Sequence, residues 1–248
     1  MRSAFSLVEL SIVLVILGLL TGGILGGQAL IRAAELRSIP VEYNKYMTAM
    51  QTFRDKYFAI PGDMNNATKF WTAAASCPGD STTPATGPAT CDGDGNGILG
   101  VVERYRVWHH LANAALIEGT YTGVPATATP AHLSVGSNVP RSKLSNSGVQ
   151  ISKLSDTSSG LLYNAADSRH VLMFLGAATI QVSTPSAVLL PEEAWNVDTK
   201  MDDGAPGTGN FYNYNTTSTT VGTCTTSASA YALTLTSKAC APYIMVNF

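Results

Sequence analysis

The stretch whose residue types could do chemistry runs from Asp92 to Glu103. Read in order it is Asp92-Gly93-Asp94-Gly95-Asn96-Gly97-Ile98-Leu99-Gly100-Val101-Val102-Glu103. This satisfies D-x-[DN]-x-[DN]-G-x5-E, the spacing of a calcium-binding loop. In that pattern Asp92, Asp94 and Asn96 offer side-chain oxygens, Gly97 permits the sharp turn, Ile98 offers its carbonyl, and Glu103 offers two oxygens. Hard oxygen donors at this spacing suit Ca²⁺ over Zn²⁺. Cys91 stands directly before the loop, so no helix enters it. The expectation is a loop of EF-hand type leaving into a helix over Glu103–Leu116, not a whole EF-hand. That helix carries Tyr105, Trp108, Leu111, Ala112, Ala115 and Leu116 on one face, and Gly119 is a natural stop.

A second acidic run, Asp198 to Gly204, fits no such spacing. Its expected role is to cap and brace a turn, with a second Ca²⁺ as the competing reading. His109 and His110 are adjacent and point to different faces of a helix; His132 and His170 stand in unrelated contexts. All four are expected to be core or solvated residues. The sequence offers neither a nucleophile–base pair nor a catalytic metal set, and the chain is not expected to be an enzyme. The four cysteines, Cys77, Cys91, Cys224 and Cys240, allow three pairings. Local pairing, Cys77–Cys91 and Cys224–Cys240, is expected because each pair brackets a loop. External disulfides are favoured over free thiols or a metal site because no Cys-x-x-Cys spacing occurs.

What must carry these groups begins at the N-terminus. No charged residue falls between Leu10 and Ile31. As a helix this run reaches roughly the thickness of a bilayer's hydrocarbon core. Arg2 and the α-amine precede it, which places this end in the cytoplasm and the bulk of the chain outside. Glu9 is the anomaly, because a carboxylate near the start of a membrane helix is costly without a partner. A secretory signal peptide cut near Gly27-Gln28-Ala29 is the competing reading. Against it stand the acid and an apolar run longer than a usual signal core.

Phe5-Ser6-Leu7-Val8-Glu9-Leu10, followed by Ser11-Ile12-Val13-Leu14-Val15-Ile16-Leu17-Gly18, resembles the N-terminus of type IV pilins and type II secretion pseudopilins. The resemblance implies a leader, Met1–Ala4, removed by a prepilin peptidase, with Phe5 as the methylated mature terminus and Glu9 as the assembly acid. Ala4 departs from the glycine the family usually has before the cut. The implied partners are other pilin or pseudopilin subunits, an inner-membrane assembly platform and the membrane. The implied path is from the inner membrane, with the head in the periplasm, into a pilus or pseudopilus. The alternative within the family is a filament-tip adhesin or minor pilin whose head captures a ligand. The resemblance covers about the first sixty residues. Physics points the same way: cleavage frees an ammonium that can neutralise Glu9 of a neighbouring helix, and a buried pair is costly to break.

The implied fold class is α+β and pilin-like. Residues 5–31 form the membrane helix, residues 32–60 its continuation, and residues 61–248 a head built on an antiparallel sheet. Ile39, Tyr43, Tyr46, Met50, Phe53 and Tyr57 form one apolar stripe that should pack on the head. Pro40 should bend the helix, Pro61 should end it at Ile60, and Asp63 should cap a short helix through Trp71. Gly18, Gly22, Gly23, Gly26 and Gly27 read equally as close helix packing in the membrane or as a place for local unwinding. Strands are expected at Val149–Leu154, Leu161–Tyr163, His170–Leu175, Thr179–Val182, Tyr231–Thr236 and Pro242–Phe248. A helix should start at Pro191. Charged residues are 13% of the chain, the net charge is −2, and no basic run points to nucleic acid.

Overall fold

The computed structural model describes residues 7–74, 89–125, 133–153, 169–176, 186–215 and 223–246. One helix, α1 (Leu7–Tyr57, 51 residues), runs without a break from the apolar run into the head. It is long and apolar enough to cross a bilayer, and no side chain in its most apolar window is buried. Burial starts at Ser38 and continues through Ile39, Glu42, Tyr46, Met47, Ala49, Met50 and Phe53. The expected stripe is present, with Tyr43 and Tyr57 at its half-buried margins. Pro40 lies inside the helix, and the helix passes through it. α1 ends at Tyr57, three residues before the expected Ile60, because Phe58 turns left-handed (φ +53°) and its N–H closes on the Arg54 carbonyl at 2.8 Å.

The head is built on a four-stranded antiparallel sheet of β1 (Ser147–Lys153), β2 (His170–Gly176), β3 (Phe211–Asn215) and β6 (Cys240–Val246), in the order β1-β2-β6-β3. Side chains alternate between its faces, as a pleated strand requires. Val149, Ile151, Leu172, Phe174, Phe211, Ile244 and Val246 join the core formed with α1. Val171, Met173, Leu175, Tyr212, Tyr214, Tyr243 and Met245 form a second buried cluster on the other face. Burial on both faces explains why the two central strands, β2 and β6, read as continuous apolar runs, whereas β1 and β3 interleave polar residues. Pro242 lies inside β6, and the β2–β6 register stops at the Met173–Tyr243 pair, one residue short of it. A proline cannot donate to the ladder, so pairing ends there.

α2 (Glu103–Asn113) packs between α1 and β1. Trp108 and Tyr105 are fully buried, each contributing about 1.5–3 kcal/mol through lost apolar exposure. Every residue from Glu103 to Leu111 is buried, so the helix is enclosed all round instead of on the one expected face. It stops earlier than expected, since Ala115, not Gly119, takes the first left-handed turn (φ +57°). α3 (Pro191–Met201) starts where the proline and acids place it. A small hairpin, β4 (Thr225–Ser227) with β5 (Ala230–Tyr231), replaces the longer strand expected at Tyr231–Thr236. Cys224 and Cys240 form the expected disulfide across a separation of 16 residues, a closure that contributes about 3 kcal/mol in the chain-entropy model. Cys91 is also disulfide-bonded; its expected partner Cys77, and the strands expected at Leu161–Tyr163 and Thr179–Val182, lie outside the described residues.

The first charged residue after the apolar run fastens α1 to the head. Arg32 donates from Nε to Glu193 Oε1 and from Nη2 to Glu193 Oε2, both at 2.6 Å. Its guanidinium also reaches the Val188 carbonyl at 3.0 Å and Glu35 at 2.7 Å. Burial pushes the Glu193 carboxyl up, but Arg32 and the Leu190 N–H hold it below the usual carboxylate range. A planar fork matched to a carboxylate is among the stronger polar contacts. The expected coupling in a double-mutant cycle of Arg32→Ala and Glu193→Gln is about 1.5–3 kcal/mol. Thermal unfolding of the full chain in detergent measures it, and a coupling near zero removes the clamp from the account.

Candidate functional site

The turn that ends α1 and the 92–103 loop are built into each other. Gly62 (φ +92°) lies so close to α2 that an added Cβ would meet the Glu103 carbonyl at 2.5 Å. Gly93 lies against the backbone of Asp63, where a Cβ would meet Cα at 2.5 Å. Only glycine allows this double approach. The Gly93 N–H donates to the Met64 carbonyl at 2.8 Å, and the Gly95 N–H to the Asp63 carbonyl at 3.0 Å.

Asp63 was expected to cap a short helix. Instead its carboxylate accepts from the N–H groups of Gly95 at 2.9 Å, Asn96 at 3.2 Å and Gly97 at 2.9 Å. The helix expected after it is a single 3-10 turn, Ala67–Lys69, with no side-chain cap. Asp63 stands beside Asp94 and Glu103, and one carboxylate oxygen from each lies within 4.8 Å of the others. Burial pushes the Asp63 carboxyl up to about 6. The loop N–H groups of Gly97 and Gly95 oppose this, while proton sharing with Asp94 and the charge of Glu103 add to it.

The expected ligands divide. Asp94 and Glu103 converge, joined by a bond from the Asp94 N–H to Glu103 Oε1 at 2.9 Å. Glu103 Oε2 accepts from the Gly100 N–H at 2.7 Å. Asn96 touches the cluster through Asp94, donating from Nδ2 at 2.6 Å, while its own oxygen accepts from the Ile98 N–H at 2.7 Å. Asp92 turns away: its two oxygens accept from the N–H and hydroxyl of Thr68 at 2.8 and 3.0 Å. The third carboxylate gathered with Asp94 and Glu103 is therefore that of Asp63. Its signal in the sequence was only an aspartate after Pro61-Gly62, which also reads as a cap.

The histidines are internal hydrogen-bond posts. His110 Nδ1 accepts from the Gly62 N–H at 3.0 Å, which leaves its Nε2 to donate toward Thr90 Oγ1 at 3.0 Å. Burial holds its pKa down, to about 3, so the ring stays neutral. His170 Nε2 accepts from the Leu99 N–H at 3.0 Å and so ties the acidic loop to β2. His109 is also buried, bonded to the Tyr121 carbonyl. His132 lies outside the described residues, as do Ala4 and Phe5.

At the N-terminal end the geometry is simpler. Glu9 lies in the first turn of α1 with apolar neighbours Leu7, Val8, Leu10, Ile12 and Val13 exposed around it. Comparison with protein-family models, with curated proteins and with solved structures found no match to this chain.

The second acidic run braces its turn. Asp198 accepts from the Tyr231 hydroxyl at 2.5 Å and the Gly204 N–H at 3.1 Å. Asp202 accepts from the N–H groups of Asn210 and Phe211 and so holds the start of β3. Asp203 accepts from the Ala205 N–H at 2.9 Å and Thr208 Oγ1 at 2.6 Å. Burial pushes the Asp198 carboxyl up to about 6 against those two bonds, and the charges of Asp203 and Asp202 add to the rise. A carboxyl raised on folding binds its proton more tightly in the native state. Its contribution is complete below the unfolded pKa and is lost as pH rises through about 6. The melting temperature of the full chain in chelator is therefore expected to fall between pH 5 and pH 7. Asp198→Asn, which keeps an acceptor for Tyr231, should flatten part of that fall; an unchanged slope would clear Asp198 of responsibility.

Proposed function

We propose that this chain is an assembling structural subunit of a type IV pilus or type II secretion pseudopilus. In this reading it is anchored in the inner membrane by α1, with its head in the periplasm. The observation that carries the reading is a single helix whose second half is the spine of the head and whose first half is apolar and bare except for one acid, Glu9, in its first turn. A lone membrane anchor has no use for a carboxylate there. A helix packing beside staggered copies of itself does, because the freed ammonium of one copy at Phe5 neutralises Glu9 of the next. Prepilin peptidase and the assembly platform are the partners this requires.

Mass spectrometry of the mature protein should show a methylated Phe5 terminus, and a terminus near Leu30 would end the reading. Glu9→Ala should insert in the membrane normally and enter filaments about tenfold less or worse, since it strands a buried cation. Normal incorporation would refute the pairing.

The same reading includes a structural Ca²⁺ in the head. Three carboxylates held this close repel one another without a cation, and hard oxygens are what Ca²⁺ takes. Asp63, Asp94 and Glu103 would hold it, with Asn96 and the Ile98 carbonyl as the remaining donors named by the loop pattern. At ten times Kd, linkage gives about 1.4 kcal/mol, which is about 3–6 °C for a domain of this size. Melting of the full chain in millimolar Ca²⁺ against chelator should show that rise, with Mg²⁺ much weaker. Asp63→Asn and Glu103→Gln should abolish it. Asp92→Asn should lower the basal melting temperature through loss of the Thr68 contacts and keep the shift. A melting temperature indifferent to Ca²⁺ would reduce the cluster to a braced turn.

A further inference from the structure

We infer that the cavity at the C-terminal end of α1 binds a neutral saccharide, seated against the ring of Phe58. The inference stands apart from the filament reading and needs no assembly, although the cavity borders the acidic loop and shares Asp63 with it.

Phe58 is the starting observation. It occupies the left-handed position that closes a helix, where glycine is the ordinary residue and a bulky side chain is strained. Its φ is +53°, and its N–H makes the closing bond to the Arg54 carbonyl. Packing gives nothing back, because the side chain is 93% exposed. Its neighbour Tyr57 packs its ring against Phe53 at 4.5 Å, tilted by 41°, whereas Phe58 makes no ring contact among the described residues. Folding alone favours Gly at this position. A strained residue that the fold does not need is a pointer to function.

Phe58 lines a cavity of about 680 Å³ whose polar side chains are Gln51, Arg54, Asp55, Asp63 and Asn65, with Ala59, Ile60 and the glycines of the acidic loop completing the wall. That volume is within the range of small-molecule sites. The lining selects the ligand class. Asp55 opposes a phosphate or sulfate, and Arg54 opposes an organic cation. A hydrocarbon would desolvate all of these groups without replacing their hydrogen bonds. The amides of Gln51 and Asn65 both donate and accept, as hydroxyl groups do. A pyranose combines a rim of hydroxyls with a face of C–H groups that lies against the electron-rich face of an aromatic ring.

The test uses the full chain in lauryldimethylamine oxide micelles, whose headgroup carries no sugar. Saturation-transfer NMR is recorded with cellobiose, lactose and N,N′-diacetylchitobiose at millimolar concentration. At least one should receive saturation on its ring C–H protons. Phe58→Gly should reduce that transfer at least fivefold while raising the melting temperature by about 2–4 °C, since glycine relieves the backbone. Phe58→Trp should retain it. Absence of transfer to all three sugars overturns the inference, as does transfer undiminished by Phe58→Gly. Failure of Phe58→Gly to enter filaments, with no sugar bound by the parent, would make the ring a contact between subunits and also overturn it.

Discussion

One helix must satisfy two surroundings, and the rest of the structure depends on how it does so. The most apolar stretch of α1 is unburied by any of the described residues, while from Ser38 onward the helix is the spine of the head. No flexible link separates the halves, because the helix passes through Pro40. A proline inside a helix removes one backbone bond, and here the surrounding packing compensates for that loss: Ile39 is fully buried and Glu42 is held by the Lys143 N–H at 2.7 Å. The Arg32–Glu193 fork lies at the transition. A force along the apolar half therefore reaches the head first through charge-assisted bonds and then through the buried stripe. The sheet is positioned by the helix, not by a hinge.

The acidic loop is organised by the same helix. Where α1 ends, the chain does not leave the core but passes under α2, and Gly62 and Gly93 let the two backbones approach closely. Asp63 is thereby carried into the loop, where three N–H groups converge on its carboxylate. Such bonds favour the ionised form, whereas burial and two neighbouring acids disfavour it. Burial and the neighbours win, and the carboxyl titrates near 6. The loop is thus held in shape by a group whose charge is itself costly there.

What could be read in the sequence, and what could not, divides along the reach of the interactions. The stripe from Ile39 to Tyr57, the long helix, β2 and the start of α3 are set by periodicity and local caps, and they stand where those signals place them. β3 was not legible: Phe211-Tyr212-Asn213-Tyr214 alternates, but its asparagine is buried only because Tyr231 accepts from its amide at 2.7 Å. α2 looked amphipathic because Arg104, Arg106, His109 and His110 are polar. Most of their polar atoms find partners, such as Ser152 for Arg104, the Asp92 carbonyl for Arg106 and Thr90 for His110, so the helix can be enclosed, with His109 Nε2 the exception among the described residues.

The loop shows the same limit within a dozen residues. A linear pattern encodes which oxygens a turn can aim inward if nothing else competes for them. Thr68 competes for Asp92, offering both an N–H and a hydroxyl, and a carboxylate with two good donors at hydrogen-bond distance has no reason to face two other acids. Asp63 replaces it because its backbone is already packed on Gly93, so the carboxylate approaches with little freedom left to lose. Spacing in sequence can therefore locate a cluster of acids without naming all its members. The missing member comes from whichever segment the core presses against the loop, and here that segment is the end of α1.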